Sequence, residues 1–225
     1  MCERIVIPGR EQVEEEIPVS HRWWTFTTRF NVAAGQSVPA VRLHEKQSEG
    51  IMLRWGLVPA SHQGEDVPPG DACVSRNTLE TSAAYRTIWT HGQRCIIPLA
   101  GFYVWQRTAA GHRQPFYVRL VNRPVFGIAA VWDRFVTDGD DVIEGCALIS
   151  VRANSLLTEV TNTHGRMPAI LQREGYQTWL SGRPAQAKEL LRPFAAERML
   201  LHAVGPHVNF PQYDDASLIR PIRGD

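Results

Sequence analysis

Arg94-Cys95-Ile96-Ile97-Pro98, Gly101-Phe102-Tyr103-Val104-Trp105-Gln106-Arg107, Gln114-Pro115-Phe116-Tyr117-Val118-Arg119-Leu120 and Pro124-Val125-Phe126-Gly127-Ile128-Ala129-Ala130-Val131 are four short runs rich in β-branched and aromatic residues. Each has the length and composition of a strand. Turn formers separate them, at Gly111 and at Asn122-Arg123-Pro124. Connections this short join strands running in opposite directions, so the stretch predicts antiparallel hairpins.

Working outward, residues 24–32 alternate aromatic, polar and β-branched side chains in the manner of a strand, until Asn31-Val32-Ala33-Ala34-Gly35 breaks the pattern. Residues 37–43 and 50–58 predict two more strands, the second ending in Trp55-Gly56-Leu57-Val58-Pro59, and the turn formers of 60–72 predict an exposed loop. Residues 10–17 predict a short acidic helix. Asn77 with Glu80 resembles a capping box, and Leu79, Ala83, Ala84 and Ile88 supply an apolar face, so a helix is expected over 78–91. Toward the C-terminus a strand is expected over 145–151 and a helix capped by Asn154 through 161. Helices follow over 174–181 and 184–196, with Pro184 in a first turn, and residues 198–204 return to the sheet. No repeat, linker or break in composition divides the chain, so one α+β domain over residues 1–225 is the expectation.

Composition narrows the function classes. A chain of 225 residues that is 44% apolar builds a substantial core. The formal net charge of +1 does not mark a nucleic-acid binder, although a local groove can be basic on a neutral molecule. All 24 cations are arginine except Lys46 and Lys188, a bias that suits phosphate recognition and that a GC-rich genome also produces. Cys2, Cys73, Cys95 and Cys146 are far apart, with neither a CxxC pair nor a histidine at ligand spacing. Neither metal nor disulfide framework is expected, and a reduced cytosol fits. The first twenty residues are acidic and lack an apolar h-region, and no run approaches the ~18 apolar residues of a membrane span. The expectation is a soluble, cytoplasmic monomer without cofactor.

Two stretches carry chemistry. In Met1-Cys2-Glu3-Arg4, removal of Met1 leaves Cys2 with a thiol and a free α-amine on neighbouring atoms. Their unperturbed pKa values lie near ~8.5 and ~7.7–8.0, so a useful fraction of each is nucleophilic at neutral pH. Such an aminothiol condenses with a carbonyl through nitrogen and closes through sulfur to a thiazolidine. An incidental cysteine on a frayed end is the competing reading. In Thr163-His164-Gly165-Arg166-Met167-Pro168, a proton carrier stands beside an anion-binding fork, although taken alone the stretch reads first as a turn with a hydrogen-bonded histidine. Arg76 and Asn77 stand at the mouth of the expected helix with Arg86 inside it, where either an anion site or a plain cap with a solvated arginine is consistent.

The ordered set of segments resembles the SRAP family, the SOS-response-associated peptidases that process abasic sites. It runs through Met1-Cys2 with Arg4, Phe30-Asn31-Val32-Ala33, Trp55 to Pro59, Glu80-Thr81, Arg94-Cys95, Gly101-Phe102-Tyr103 with Trp105, Gln114-Pro115-Phe116, Ala130-Val131-Trp132, Ala153-Asn154, His164 to Pro168, Trp179-Leu180 and Val208-Asn209. The resemblance implies a barrel-like antiparallel sheet core with flanking helices. It implies a sensor of abasic sites in single-stranded DNA, nucleoid-associated when bound, in which Cys2 forms a thiazolidine crosslink with the ring-opened sugar. A self-cleaving step that frees Cys2 is implied as well. On this pattern Cys2 is the nucleophile, Asn31 holds the sugar or the amine, His164 shuttles protons, and Arg4, Arg76, Asn77, Arg86, Arg166 and Trp105 contact the strand.

Four positions depart from the family pattern. The glutamate of G-x-x-E-W is Val104, the Asn-Ala-Arg before Glu80-Thr81 is displaced to Arg76-Asn77-Thr78, the wedge proline is Ala34, and the glycine after the cysteine is Glu3. Glu3 or Glu80 is a candidate for the missing carboxylate. Two competing classes are a single-strand binder without covalent chemistry, holding bases on exposed aromatics such as Trp23 or Trp24, and a general thiol peptidase.

Overall fold

The computed structural model describes residues 3–58, 70–109, 111–137, 139–161 and 165–222. Its strands are β1 (Arg4–Ile7), β2 (His21–Arg22), β3 (Arg29–Ala33), β4 (Ser37–His44), β5 (Gln47–Trp55), β6 (Cys73–Ser75), β7 (Arg94–Leu99), β8 (Gly101–Arg107), β9 (Arg113–Leu120), β10 (Phe126–Val136), β11 (Val142–Arg152), β12 (Arg166–Pro168) and β13 (Met199–Ala203). The helices are α1 (Arg10–Glu16), α2 (Thr78–Thr81), α3 (Ala83–Thr90), α4 (Ser155–Val160), α5 (Tyr176–Ser181) and α6 (Pro184–Glu189). Strands β11, β10, β7, β4 and β5 pair in that order and β5 pairs back onto β11, which closes a barrel. A second sheet, β13-β9-β8-β1-β3, packs on it.

The period-2 pattern of this second sheet explains how it is buried on both faces. Ile5, Ile7, Phe102, Val104 and Val118 enter the main core with the barrel. Val6, Tyr103, Trp105 and Tyr117 point the other way, into a smaller cluster closed by Val204, Val208 and Leu218. The chain after β13 therefore folds back as a cover over β1, β8 and β9. Gly101 is the tight spot of this arrangement, because an added Cβ would lie 2.3 Å from the Tyr117 ring, whose hydroxyl donates to Ala100 O. Gly101→Ala is expected to cost about 1–3 kcal/mol through forced repacking, read as a lower urea midpoint at unchanged m-value.

The four strands between Arg94 and Val131, the β8–β9 hairpin and the Asn154 cap, whose Oδ1 accepts from Leu157 N–H, match the expectation, but β7 and β8, like β9 and β10, lie in different sheets and form no hairpin. Other elements differ for identifiable reasons. Residues 24–32 do not form one strand: Trp24 turns inward, is buried, and lies against Gly50, so pairing resumes only at Arg29. Trp24 is accordingly no platform for a base, whereas Trp23 is 70% exposed. The helix over 78–91 is two pieces, because Ser82 is extended with ψ 131°. Asn77 makes no side-chain cap; Ser75 Oγ takes the Thr78 N–H instead, and Glu80 pairs with Lys188. The helix at 184 stops at Glu189, short of 196. Strand β6, which pairs parallel to β11, begins at Cys73, directly after the expected loop of 60–72, where no element was expected. The expected loop residues 60–69 lie outside the described residues.

Candidate functional site

Two groups of predicted site residues come together. The first lies where β1 begins. In the β1–β8 ladder Ile5 pairs with Phe102 and Val6 with Gly101, and Glu3 directly precedes β1. The Glu3 carboxylate reaches Arg113 on β9, with Nη2 at 2.9 and 3.1 Å from its two oxygens, and the Arg113 guanidinium lies 5.0 Å from the Trp105 ring centroid. Trp105 Nε1–H donates to Asn209 Oδ1 at 2.8 Å, and the Asn209 carbonyl faces Arg4 Nη2 at 3.5 Å. Burial pulls the Arg4 guanidinium below its ordinary value, Glu3 opposing and Arg113 adding to the effect. Arg4 Nε is buried with no acceptor among the described residues.

Asn31 sits on the neighbouring strand β3, fully buried. Its Nδ2 donates to Phe210 O at 3.1 Å and Tyr213 O at 2.9 Å. Asp214 completes the clamp by accepting from Arg29 Nε and from the Phe30 and Asn31 backbone N–H groups. Asn31 Oδ1 has no donor among the described residues. A buried acceptor in that condition is costly, of order 1–3 kcal/mol, and is available to a bound N–H or O–H.

The second group surrounds a cavity of about 190 Å³ lined by Arg76, Asn77, Val151, Arg152, Arg166, Leu191 and Pro193, with no carboxylate in the lining among the described residues. Arg166 Nε and Nη2 donate to Ser150 Oγ at 3.0 and 2.8 Å, and Nη2 also donates to Ser150 O at 2.6 Å. Arg76 is held at both ends, its backbone N–H on Ser150 O and its Nη1 on Leu191 O, each at 3.0 Å. Arg152 stands opposite Arg166 in the β11–β12 ladder and is exposed. Three guanidinium groups gathered around one small space make it cationic among the described residues, which is the chemistry that suits an anion.

The remaining predictions fall apart from these groups. Arg86 is exposed on α3, and Glu80 is engaged by Lys188 on the surface. Cys2 and His164 lie outside the described residues. Sequence reasoning missed Arg113, Arg152, Asn209 and Asp214. For Arg152 the available signal was strand register, which sets it opposite Arg166; Arg113 pairs with Arg107 and reaches Trp105 and Glu3 only through its side chain. Among the described residues no cluster of histidine, cysteine, aspartate and glutamate is able to hold a metal ion.

The family model for SOS response associated peptidase (SRAP) matches residues 1–211. The chain belongs to this family. It is 28% identical over 193 residues to abasic site processing protein YoqW of Bacillus subtilis, covering 84% of each chain. It is 27% identical over a 252-residue alignment to abasic site processing protein HMCES of Gallus gallus, covering 95% of this chain and 71% of that one. A solved structure from Bacteroides thetaiotaomicron superposes with a TM-score of 0.79 at 25% identity, covering 86% of this chain and 85% of its own. Another from Bordetella bronchiseptica gives 0.78 at 20% identity over 91% of this chain and all of its own.

Proposed function

We propose that the protein captures abasic sites in single-stranded DNA by a covalent bond through Cys2, once Met1 has been removed by an aminopeptidase or by the chain's own thiol. The single observation that carries this reading is the cavity of Arg76, Arg152 and Arg166, a site for phosphate in a chain of nearly zero net charge. Family membership and the abasic-site names of the relatives support it.

The chemistry is a condensation. The Cys2 amine adds to the C1′ aldehyde of the ring-opened sugar, the carbinolamine loses one water to give an imine, and the thiolate adds to the imine carbon to close a thiazolidine. His164 carries the proton to the departing hydroxyl, and Asn31 Oδ1 accepts from the amine or the sugar. Arg4 and the arginine cavity hold phosphates, with Asn77, Arg86 and Trp105 as further strand contacts. Val104 supplies no carboxylate, so Glu3, next to Cys2 in the chain and oriented by Arg113, takes that part. The protein acts as a monomer in the cytoplasm, associated with the nucleoid when bound.

A second reading is a relative that binds the strand and has lost or slowed capture. It is favoured by Val104, 7% exposed and packed into the main core where the family places a carboxylate. Incubation of mature protein with abasic single-stranded DNA separates the two. A band that survives heat and detergent supports capture, and a shift visible only on a native gel supports the binder. In the same assay Glu3→Ala is expected to slow adduct formation by about 10²–10⁴-fold, the usual contribution of a positioned acid or base. Parent-like adduct rates for Glu3→Ala would remove Glu3 from the mechanism.

A further inference from the structure

The segment 206–214 holds an exposed aromatic group that the proposed chemistry does not use. Phe210 is 50% and Tyr213 42% exposed, their ring centroids 6.2 Å apart and edge-on at 80°. The exposed His207 ring lies 4.9 Å from Tyr213. Large apolar residues scattered singly on a surface need no explanation, but three contiguous rings do.

Their backbone is not loose. The carbonyls of Phe210 and Tyr213 are both taken by Asn31 Nδ2, the Asn209 side chain by Trp105, and Asp214 by Arg29 and two backbone N–H groups of β3. The rings are thus mounted on the same clamp that fixes Asn31 and approaches Arg4, two residues from Cys2 in the chain. Rigid mounting removes part of the entropy cost of ordering a contact surface, which is what a stacking site requires.

We propose that Phe210 and Tyr213, with His207 beside them, form a stacking platform for an unpaired nucleobase next to the abasic position. The occupant is a base and not an apolar protein surface, for two reasons. Arg4, whose guanidinium reaches the Asn209 carbonyl and whose Nε has no acceptor among the described residues, stands beside the segment, which suits a polyanion. A nucleobase at an abasic lesion also lacks a stacking neighbour on one side, and an aromatic ring offers that missing face. This inference rests on the abasic-strand reading above and deepens it.

The test is the affinity of a fluorescent, undamaged single-stranded oligonucleotide for the parent and for Phe210→Ala/Tyr213→Ala, measured over a salt series, with thermal melting as the control for folding. The double variant is expected to bind on the order of tenfold more weakly at unchanged salt slope, since stacking is lost while phosphate contacts remain. Phe210→Trp/Tyr213→Trp is expected to restore affinity. A folded double variant that binds like the parent overturns the platform while leaving covalent capture standing, if the parent still crosslinks abasic DNA. A parent that neither binds nor crosslinks overturns both. Loss of self-association in the variant at unchanged DNA affinity identifies the rings as a contact between copies of this chain and likewise overturns the proposal.

Discussion

Cys2→Ala is expected to abolish the heat-stable adduct with abasic single-stranded DNA while leaving affinity for the undamaged strand within about 0.5 kcal/mol of the parent. The alanine variant keeps an α-amine and loses the sulfur, so at most it forms an imine, which hydrolyses under denaturing conditions. Borohydride trapping of the variant with abasic DNA, and of Cys2→Ser beside it, reports that imine directly. A trapped band in Cys2→Ala with no untreated band assigns the nitrogen step to the chain's amine and the ring closure to the thiol. An untreated heat-stable band in Cys2→Ala would place the chemistry on another residue. Two of the internal thiols are poor substitutes: Cys95 and Cys146 are fully enclosed, and burial pushes both thiols up, away from the thiolate form.

The second large effect is expected from Arg152→Glu combined with Arg166→Glu. Each charge-assisted hydrogen bond to a phosphate is worth roughly 1.5–3 kcal/mol, so the pair is expected to weaken strand binding on the order of a hundredfold or more at low salt. The loss is uniform across sequences, and the slope of log affinity against log salt falls by about one for each contact removed. Arg152 is the cleaner probe, because Arg166 also donates to Ser150 and its loss disturbs the β11–β12 edge. Adduct formation is expected to slow at dilute DNA and to recover toward the parent rate at saturating DNA, which separates a binding role from a chemical one. A salt slope unchanged in both single variants would show that the cavity holds no phosphate.

The strands between Arg94 and Val131 were legible because they are short, β-branched and divided by turn residues, although their division between two sheets was not, and the Asn154 cap was legible because capping is local. What escaped depends on neighbours distant in sequence. Trp24 fits a strand pattern until the flat space over Gly50 draws it inward, and β6 is a strand only because β11 offers a parallel edge. Asn77 had the composition of a cap, yet Ser75, two residues earlier, occupies the Thr78 N–H. The site shows the same division. Arg4, Asn31, Arg76 and Arg166 stand in motif-like stretches, whereas Arg113 acquires a role only through a side-chain contact to Glu3 across β8, and Arg152 only once register sets it opposite Arg166. The clamp of Asp214 on β3 spans 183 residues of sequence between its partners, which no local pattern reports.

Intact-mass spectrometry of the protein after incubation with an abasic oligonucleotide addresses the covalent bond itself. The expected species has the mass of the chain without Met1 plus the oligonucleotide less one water, and its fragments carry the DNA on Cys2. A spectrum holding only the separate protein and DNA masses, or an adduct mapped to any other residue, would contradict the account.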